Sequence, residues 1–381
     1  MARGLFLNTA RTHGHVNPTI GLVKELVTRG DEVVYVSSAE FKEKLEKAGA
    51  KYVAFHVEQL EQPEDMKEFN MSKVLDVFKK TNELVIETAM GESGTFDYLV
   101  YDEGVSVNKE IIEKFNIKKV IGLSTAFAMN SEIFREVVNN FKIGDAVINL
   151  DEKTLSYMEK EFIGNEYTDL NIVFTSKYYQ PYGQEFDENK YKFVGPSIIN
   201  RQEVDEFKIE NPDNKKLVFI SLGTIANKNI KFYKDCFEAL GSRDDLIVVM
   251  SIGKKIDIKD LGEIPENFRV YNYVPQLEVL EQVDLFITHG GMNSSSEGLY
   301  NGLPLVVVPQ MGDQYIVAKR VEEFGAGIEL KDNVEPNNIS EAVNEILSND
   351  SYKENAEKIG KSLRESGGYK KAVDCIHNII K

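Results

Sequence analysis

Two histidines near a strand end, with a carboxylate closing another strand, are residue types that move protons near neutral pH. The segment Asn8-Thr9-Ala10-Arg11-Thr12-His13-Gly14-His15-Val16-Asn17-Pro18 sets His13 and His15 between a short apolar run and an amphipathic pattern. Asn17 reads as the N-cap of that helix and Pro18 as its first residue, with Gly30 suited to its end. His15 then falls just ahead of the helix, where the dipole disfavours imidazolium and keeps the ring able to accept a proton. A carboxylate would fix its tautomer and stabilise the charge formed after proton transfer. The run Phe96-Asp97-Tyr98-Leu99-Val100-Tyr101-Asp102 ends on the candidate, Asp102. The plainer reading is a loop histidine with its hydrogen bonds satisfied and an Asp that caps a helix.

A second constellation lies in the other half. Leu285-Phe286-Ile287-Thr288-His289-Gly290-Gly291-Met292-Asn293-Ser294-Ser295-Ser296-Glu297 is an apolar strand running through two glycines into a helix. Gly290 and Gly291 let a ligand approach the backbone closely, and the free N–H groups of the helix start favour an anion. His289, Asn293 and Ser294 add side-chain donors. Glu297, one turn on, can accept from ribose hydroxyls. Tyr273-Val274-Pro275-Gln276 and Pro309-Gln310-Met311-Gly312-Asp313-Gln314 end two further strands on the same sheet edge. Asp313 beside the two-sided amide of Gln314 suits vicinal sugar hydroxyls. Ser221-Leu222-Gly223-Thr224 ends the first strand of this half and offers more phosphate donors. Each piece alone also reads as an ordinary βα turn with a helix cap.

The elements that must position these residues are short apolar runs alternating with helical patterns. In the first half the strands read as Gly4–Asn8, Glu32–Ser37, Tyr98–Tyr101, Val120–Leu123, Ile172–Thr175 and Lys192–Val194, with a helix over Phe41–Ala48. In the second half they read as Leu217–Ser221, Ile247–Ser251, Val270–Tyr273, Leu285–Thr288, Leu305–Val308 and Gly327–Leu330. Helices start near Asn229, Pro275, Asn293 and Gln314, and Ser340–Lys381 is helical with a break at Gly367-Gly368. Such alternation means βαβ units, parallel sheets and helices on both faces. The polar stretch after Pro196 reads as a linker. The expectation is therefore an α/β chain of two Rossmann-like, doubly wound domains facing a central cleft. Residues 1–200 form the first domain, 201–215 the linker and 216–360 the second domain, with 361–381 a C-terminal helix available to pack back on the first.

Composition removes other classes. The 381 residues suffice for about two domains. Hydrophobic residues are 42% and charged residues 28%, which marks an ordinary globular chain. A formal net charge of −17 repels nucleic acid and anionic lipid. Two cysteines, Cys236 and Cys375, are too few for a disulfide framework and suit a reducing cytosol. The N-terminus does not read as a signal peptide, and no apolar stretch is long enough to span a bilayer. Five histidines form no metal-ligand spacing with the cysteines. A Gly-x-Ser-x-Gly elbow, a Walker A sequence and a Gly-x-Gly-x-x-Gly dinucleotide loop are all missing. Lys254-Lys255 reads as a solvated face.

Val274-Pro275-Gln276, His289-Gly290-Gly291, Asn293-Ser294, Glu297 and Asp313-Gln314 together resemble the donor-binding signature of family 1 UDP-dependent glycosyltransferases of the GT-B fold. The similarity is closest to bacterial macrolide and natural-product glycosyltransferases. It extends over most of the chain and weakens in about 55–95 and 125–170. The resemblance implies that Val274 backbone groups and Gln276 hold the nucleoside, and Glu297 the ribose. It gives His289, Asn293 and Ser294 the diphosphate, and Asp313 and Gln314 the transferred hexose. It makes His15, in Gly14-His15-Val16-Asn17-Pro18, the catalytic base and Asp102 its acidic partner, leaving His13 a part in shaping the acceptor pocket. Many relatives have Trp where this chain has Tyr273, and plant relatives have Trp at Met292; this chain has no Trp, though a ring at 273 still stacks.

The expected reaction is transfer of a hexose, glucose first among them, from a UDP-sugar to a small, largely apolar, hydroxylated acceptor, with inversion and without a metal or other cofactor. The expected setting is cytoplasmic. Phe69, Met71, Leu75, Phe78, Phe127, Met129 and Phe134 are either acceptor-pocket or core residues, with Phe127 and Met129 the named acceptor candidates. The rival readings are a cell-wall lipid transferase using UDP-N-acetylglucosamine, a UDP-sugar epimerase, and a UDP-sugar-binding protein without turnover.

Overall fold

Near-continuous apolar runs, unlike alternating ones, demand cover on both faces of a sheet. In a computed structural model they form two all-parallel sheets, each sandwiched between helices. The structure describes every residue except 10–12, 56–70, 140–141, 144–145, 148–151, 164, 200–206, 225–226 and 332–333. The chain divides into two compact units: 1–198 with 365–381, and 199–364.

The first unit begins with β1 (Arg3–Leu7), α1 (His13–Thr28), β2 (Glu32–Ser37), α2 (Lys42–Lys47), β3 (Lys51–Ala54) and α3 (Met71–Met90). It continues with β4 (Tyr98–Asp102), α4 (Lys109–Phe115), β5 (Lys119–Ser124) and α5 (Ser131–Asn139). A two-stranded antiparallel pair follows, β6 (Lys142–Ile143) with β7 (Ala146–Val147), then α6 (Glu152–Ile163), β8 (Leu170–Val173) and β9 (Tyr191–Phe193). The seven-stranded sheet has the order β3-β2-β1-β4-β5-β8-β9. One face packs Phe6, Tyr35, Tyr98 and Ile121 beneath Leu22 and Leu26 of α1. The other packs Leu5, Val34, Leu99 and Val120 beneath Val85 of α3 and Ile111 and Phe115 of α4.

The second unit runs β10 (Lys216–Ser221), α7 (Ile230–Leu240), β11 (Leu246–Ser251), β12 (Phe268–Tyr271), α8 (Gln276–Leu280), β13 (Leu285–Thr288) and α9 (Met292–Tyr300). It goes on through β14 (Leu305–Val307), α10 (Gln314–Glu323), β15 (Gly327–Glu329), α11 (Pro336–Ser348) and α12 (Ser351–Glu365), which ends at the unit boundary. The order of its six strands is β12-β11-β10-β13-β14-β15. Val218, Ile220, Val248 and Ile287 form a core with Phe232 and Tyr233 of α7 and Ile339 and Val343 of α11. Asn229 caps α7, its Oδ1 accepting from the Phe232 N–H at 3.1 Å. The strand order reverses between β1 and β4 in one sheet and between β10 and β13 in the other. Ligands of open parallel sheets bind at such switch points, beyond the carboxyl ends of the strands.

Several local expectations need correction. The helix expected to start at Asn17-Pro18 starts at His13, so Pro18 lies inside it. Val16 is fully buried; tertiary packing extends the helix past its local start signal, at the cost of the hydrogen bond that Pro18 cannot donate. The strand placed at Ile172–Thr175 sits two residues earlier. The C-terminal helical region starts at Pro336 and breaks at Asn349-Asp350 as well as at Gly367. β3 was not foreseen. Among the described residues no helix is long and apolar enough to cross a membrane.

The last helix, α13 (Gly368–Ile380), belongs to the first unit, where Ala372, Val373, Cys375 and Ile376 join the core above α1. Arg29 reaches Asp374 at 2.6 Å and Glu25 at 2.8 Å. Beneath this junction lies Asp31, 8% exposed. Its Oδ2 accepts from the Tyr98 hydroxyl at 3.0 Å and faces His377 Nε2 at 2.9 Å. Its Oδ1 accepts from the Ala2 N–H at 3.2 Å. Burial, reinforced by the Asp31 charge, pushes the Tyr98 phenol well above its ordinary value. Removing the acceptor leaves a buried phenol unpaired. Asp31→Ala should therefore lower stability by about 2–4 kcal/mol, seen as a lower urea midpoint, while Asp31→Asn, which keeps an acceptor, should cost less.

Candidate active site

At the first switch point, β4 delivers a carboxylate to the start of α1. Asp102 closes β4 and is 2% exposed, and its Oδ2 lies 2.9 Å from His15 Nδ1. His15 sits in the first turn of α1, with its side chain 36% exposed. A carboxylate only accepts, so Nδ1 carries the hydrogen and the Nε2 lone pair is left to take a proton. The positive end of α1 opposes imidazolium in the resting state, and the buried carboxylate offsets that once a proton arrives. The surroundings of Asp102 are dry. The fully buried Tyr35 hydroxyl, paired with Thr19 Oγ1 at 2.9 Å, is pushed above its usual range by burial, with a smaller contribution from the Asp102 charge.

A third group reaches the same nitrogen. Thr125 follows β5 and is 4% exposed, and its Oγ1 lies 3.2 Å from His15 Nδ1. Sequence reasoning passed over it, because a threonine after an apolar strand carries no signal until β5 is known to lie beside β4. His13 is placed otherwise: its ring meets Phe41 edge-on, with centroids 5.3 Å apart.

The acceptor candidates separate. Phe127 is 2% exposed and packs on Tyr179, centroids 5.4 Å apart, and Phe134 is 4% exposed. Both are core, and Phe127 offers no surface to an acceptor. Met129 lines a small pocket with Tyr101, Glu103, Ser124, Asn171 and Tyr191. Phe78 of α3 lies against Gly104, where a Cβ would come within 2.7 Å of its ring. Phe69 is outside the described residues, as are the side chains of Met71 and Leu75.

At the second switch point, Ser221 of β10 pairs with Thr288 of β13, so the loops 222–224 and 289–291 leave the sheet side by side. The His289 ring fills the space between them. A Cβ on Gly223 (φ +73°) would stand 2.6 Å from its Cε1, and one on Gly291 only 2.4 Å from its Nε2. Two bare backbones thus make room for the imidazole. Burial pushes it down to about 4, so it is neutral at pH 7. Gly291 is the N-cap of α9 and has no side chain with which to cap that helix, whose first N–H groups lack partners within the helix itself. Asn293 and Ser294 lie in this turn.

Gln276, the first residue of α8, links the pieces. Its Nε2 donates to Glu297 Oε2 at 2.6 Å and to Ser294 Oγ at 3.3 Å. Glu297 is 6% exposed and Val274 3%, which leaves Val274 its backbone as the group to meet a ligand. Tyr273 is 52% exposed. Asp313 occupies the N-cap position of α10 without capping it. Gln314 Oε1 accepts from the Gln310 N–H at 2.8 Å and the Met311 N–H at 3.2 Å, so this side chain also braces the loop that carries Asp313. Thr224 is exposed on its loop. Asn227, which the sequence did not point to, anchors that loop: it is 2% exposed and its Nδ2 donates to the Gly223 carbonyl at 2.8 Å. Among the described residues no three His, Cys, Asp or Glu gather as metal ligands.

Comparison with known proteins adds the family. Residues 235–366 match the family described as erythromycin biosynthesis protein CIII-like, C-terminal domain. An uncharacterized UDP-glucosyltransferase of Bacillus subtilis, YojK, is 37% identical over 97% of this chain and 95% of its own. The oleandomycin glycosyltransferase of Streptomyces antibioticus is 28% identical over 96% of this chain and 88% of its own. The crystal structure of the calicheamicin glycosyltransferase CalG4 superposes with a TM-score of 0.83 at 26% identity, covering 99% of this chain and 98% of the other. With two parallel Rossmann-like sheets and a relative this similar over almost its whole length, the chain belongs to the family 1 nucleotide-sugar glycosyltransferases of the GT-B fold, enzymes that transfer a hexosyl group.

Proposed function

We propose that the chain is an inverting glucosyltransferase that moves glucose from UDP-glucose to a hydroxyl of a small, largely apolar acceptor such as a phenol or macrolide. The observation that carries this reading is the His15–Asp102 hydrogen bond of 2.9 Å, which leaves Nε2 as a base. His15 Nε2 takes the acceptor hydroxyl proton as the acceptor oxygen bonds to the anomeric carbon. The bond from that carbon to the diphosphate oxygen breaks on the opposite face, so an α-linked donor gives a β-glycoside. UDP leaves with the electron pair, and His15 leaves the step as imidazolium beside Asp102.

Charge grows on the departing diphosphate. The uncapped start of α9, His289 and Thr224 supply donors for it, which permits transfer without a metal. Glu297 accepts from the ribose, and Asp313 and Gln314 hold the hexose. The likeness to YojK, which is named a UDP-glucosyltransferase, is consistent with glucose, and the likeness to the oleandomycin glycosyltransferase with a macrolide-like acceptor. A formal charge of −17 disfavours an anionic lipid surface as the acceptor's home.

Incubation with UDP-glucose and a panel of phenols and macrolides, followed by UDP and mass assays, tests the reading. Acceptor-dependent UDP release with a gain of one hexose is expected. Release of a free sugar without acceptor, or tight binding without turnover, would overturn it. His15→Ala should lower turnover by about 10²–10⁴-fold with UDP affinity nearly intact; an undiminished rate removes His15 from the mechanism. Glu297→Ala should weaken UDP binding about tenfold, and unchanged affinity refutes the ribose assignment.

A pH titration examines His289. Its ring is held near 4, and a bound diphosphate favours imidazolium. The complex therefore holds more protons than the free protein as pH falls from 7 towards 5. UDP-glucose, whose diphosphate keeps its charge over that range, should bind more tightly at the acid end. The trend should vanish in His289→Gln.

A further inference from the structure

We propose that Thr125 is a positioning residue for the base, holding the His15 imidazole from a second direction and stabilising its protonated form. The proposal rests on the reading of His15 as the base. His15 Nδ1 has Asp102 Oδ2 at 2.9 Å and Thr125 Oγ1 at 3.2 Å. The two anchors come from the ends of neighbouring parallel strands, since Asp102 of β4 pairs with Leu123 of β5. Both are rigidly set, Asp102 at 2% and Thr125 at 4% exposure, whereas the ring they hold is 36% exposed. One hydrogen bond fixes how far Nδ1 lies from the carboxylate but lets the imidazole pivot about it. A second acceptor, on the stiff side chain of a β-branched residue, removes that freedom.

The two anchors do different things. The carboxylate bond is charge-assisted and stronger, so Asp102 decides which nitrogen bears the hydrogen. The threonine hydroxyl accepts a smaller share of the same N–H in a three-centre arrangement. When Nε2 takes the acceptor's proton the ring becomes cationic, and the bonds at Nδ1 both strengthen. Thr125 thus favours the state that follows proton transfer. Other titratable groups near this junction include Tyr35 on β2, its hydroxyl held by Thr19, Glu103, which follows Asp102 in the chain, and His13 on the same helix, packed on Phe41.

Thr125→Val keeps the shape and removes the hydroxyl, and Thr125→Ser keeps the hydroxyl. The full-length protein is labelled with nitrogen-15 histidine; its five histidines allow His15 to be assigned by comparison with His15→Gln. The His15 titration midpoint in Thr125→Val should lie lower by roughly half a pH unit or more, and in Thr125→Ser close to wild type. With UDP-glucose and the panel phenol that the wild type glycosylates fastest, Thr125→Val should lose about tenfold in kcat with KM for UDP-glucose unchanged. The acid limb of its rate profile should move in the same direction as the midpoint, and Thr125→Ser should recover the rate. An unmoved midpoint in Thr125→Val overturns the proposal. So does a rise in KM for UDP-glucose with the midpoint unmoved, which would place Thr125 against the donor. His15→Ala, assayed alongside, separates the two readings. If it stays active, the base assignment falls and Thr125 with it. If it is inactive while Thr125→Val matches wild type, only the role of Thr125 falls.

Discussion

A carboxylate has no hydrogen to give, and that fact organises the first unit. Asp102 facing His15 Nδ1 obliges this nitrogen to keep the hydrogen and turns the lone pair of Nε2 outward. Everything around the pair serves that orientation. β4 is buried along its whole length, so the position of Asp102 is set by the sheet. α1 rests on the same sheet through Val16, Leu22 and Leu26, so the position of His15 is set by the core. On the proposed reading, a base built this way needs little rearrangement at the moment of reaction, which is the condition under which fixed charges and dipoles act most strongly on a transition state.

The second unit solves a different problem with the same topology. On the proposed reading it meets an anion, in a chain whose net charge is −17. It does so with dipoles: the uncapped start of α9, backbone exposed at glycines, and an imidazole kept neutral by burial. Gly223 and Gly291 matter here for what they lack, because either side chain would take the space of the His289 ring.

Much of this was legible in the sequence, and for a definite reason. Buried parallel strands are apolar throughout, so most of them can be located within a residue or two, and the residues that follow them mark the sheet edge where ligands bind. Those grounds made His15, Asp102, His289 and the Gly290-Gly291 turn candidates, and the resemblance to the family gave them their expected roles. What was not legible depends on which strands become neighbours. Thr125 gains meaning only because β5 lies beside β4. Asn227 gains it only because its amide reaches back to Gly223. The start of α1 was misplaced because Asn17-Pro18 is a good local start signal that the burial of Val16 overrides. Phe127 and Met129 looked alike in sequence, yet one packs on Tyr179 in the core and the other lines a pocket.

The first unit is not one stretch of chain. Its core is completed by α13, which returns after the whole second unit and fastens through His377 and Asp374 to Asp31 and Arg29. A ribosome releases the amino-terminal sheet long before it makes the helix that covers one side of that sheet. Until α13 is made, the apolar strip of α1 that later receives Ala372, Val373 and Ile376 lacks that cover. The lobe made first is therefore the lobe finished last, and a nascent polypeptide of this kind passes through a stage in which the later-made lobe can close while the earlier one still waits for its final piece.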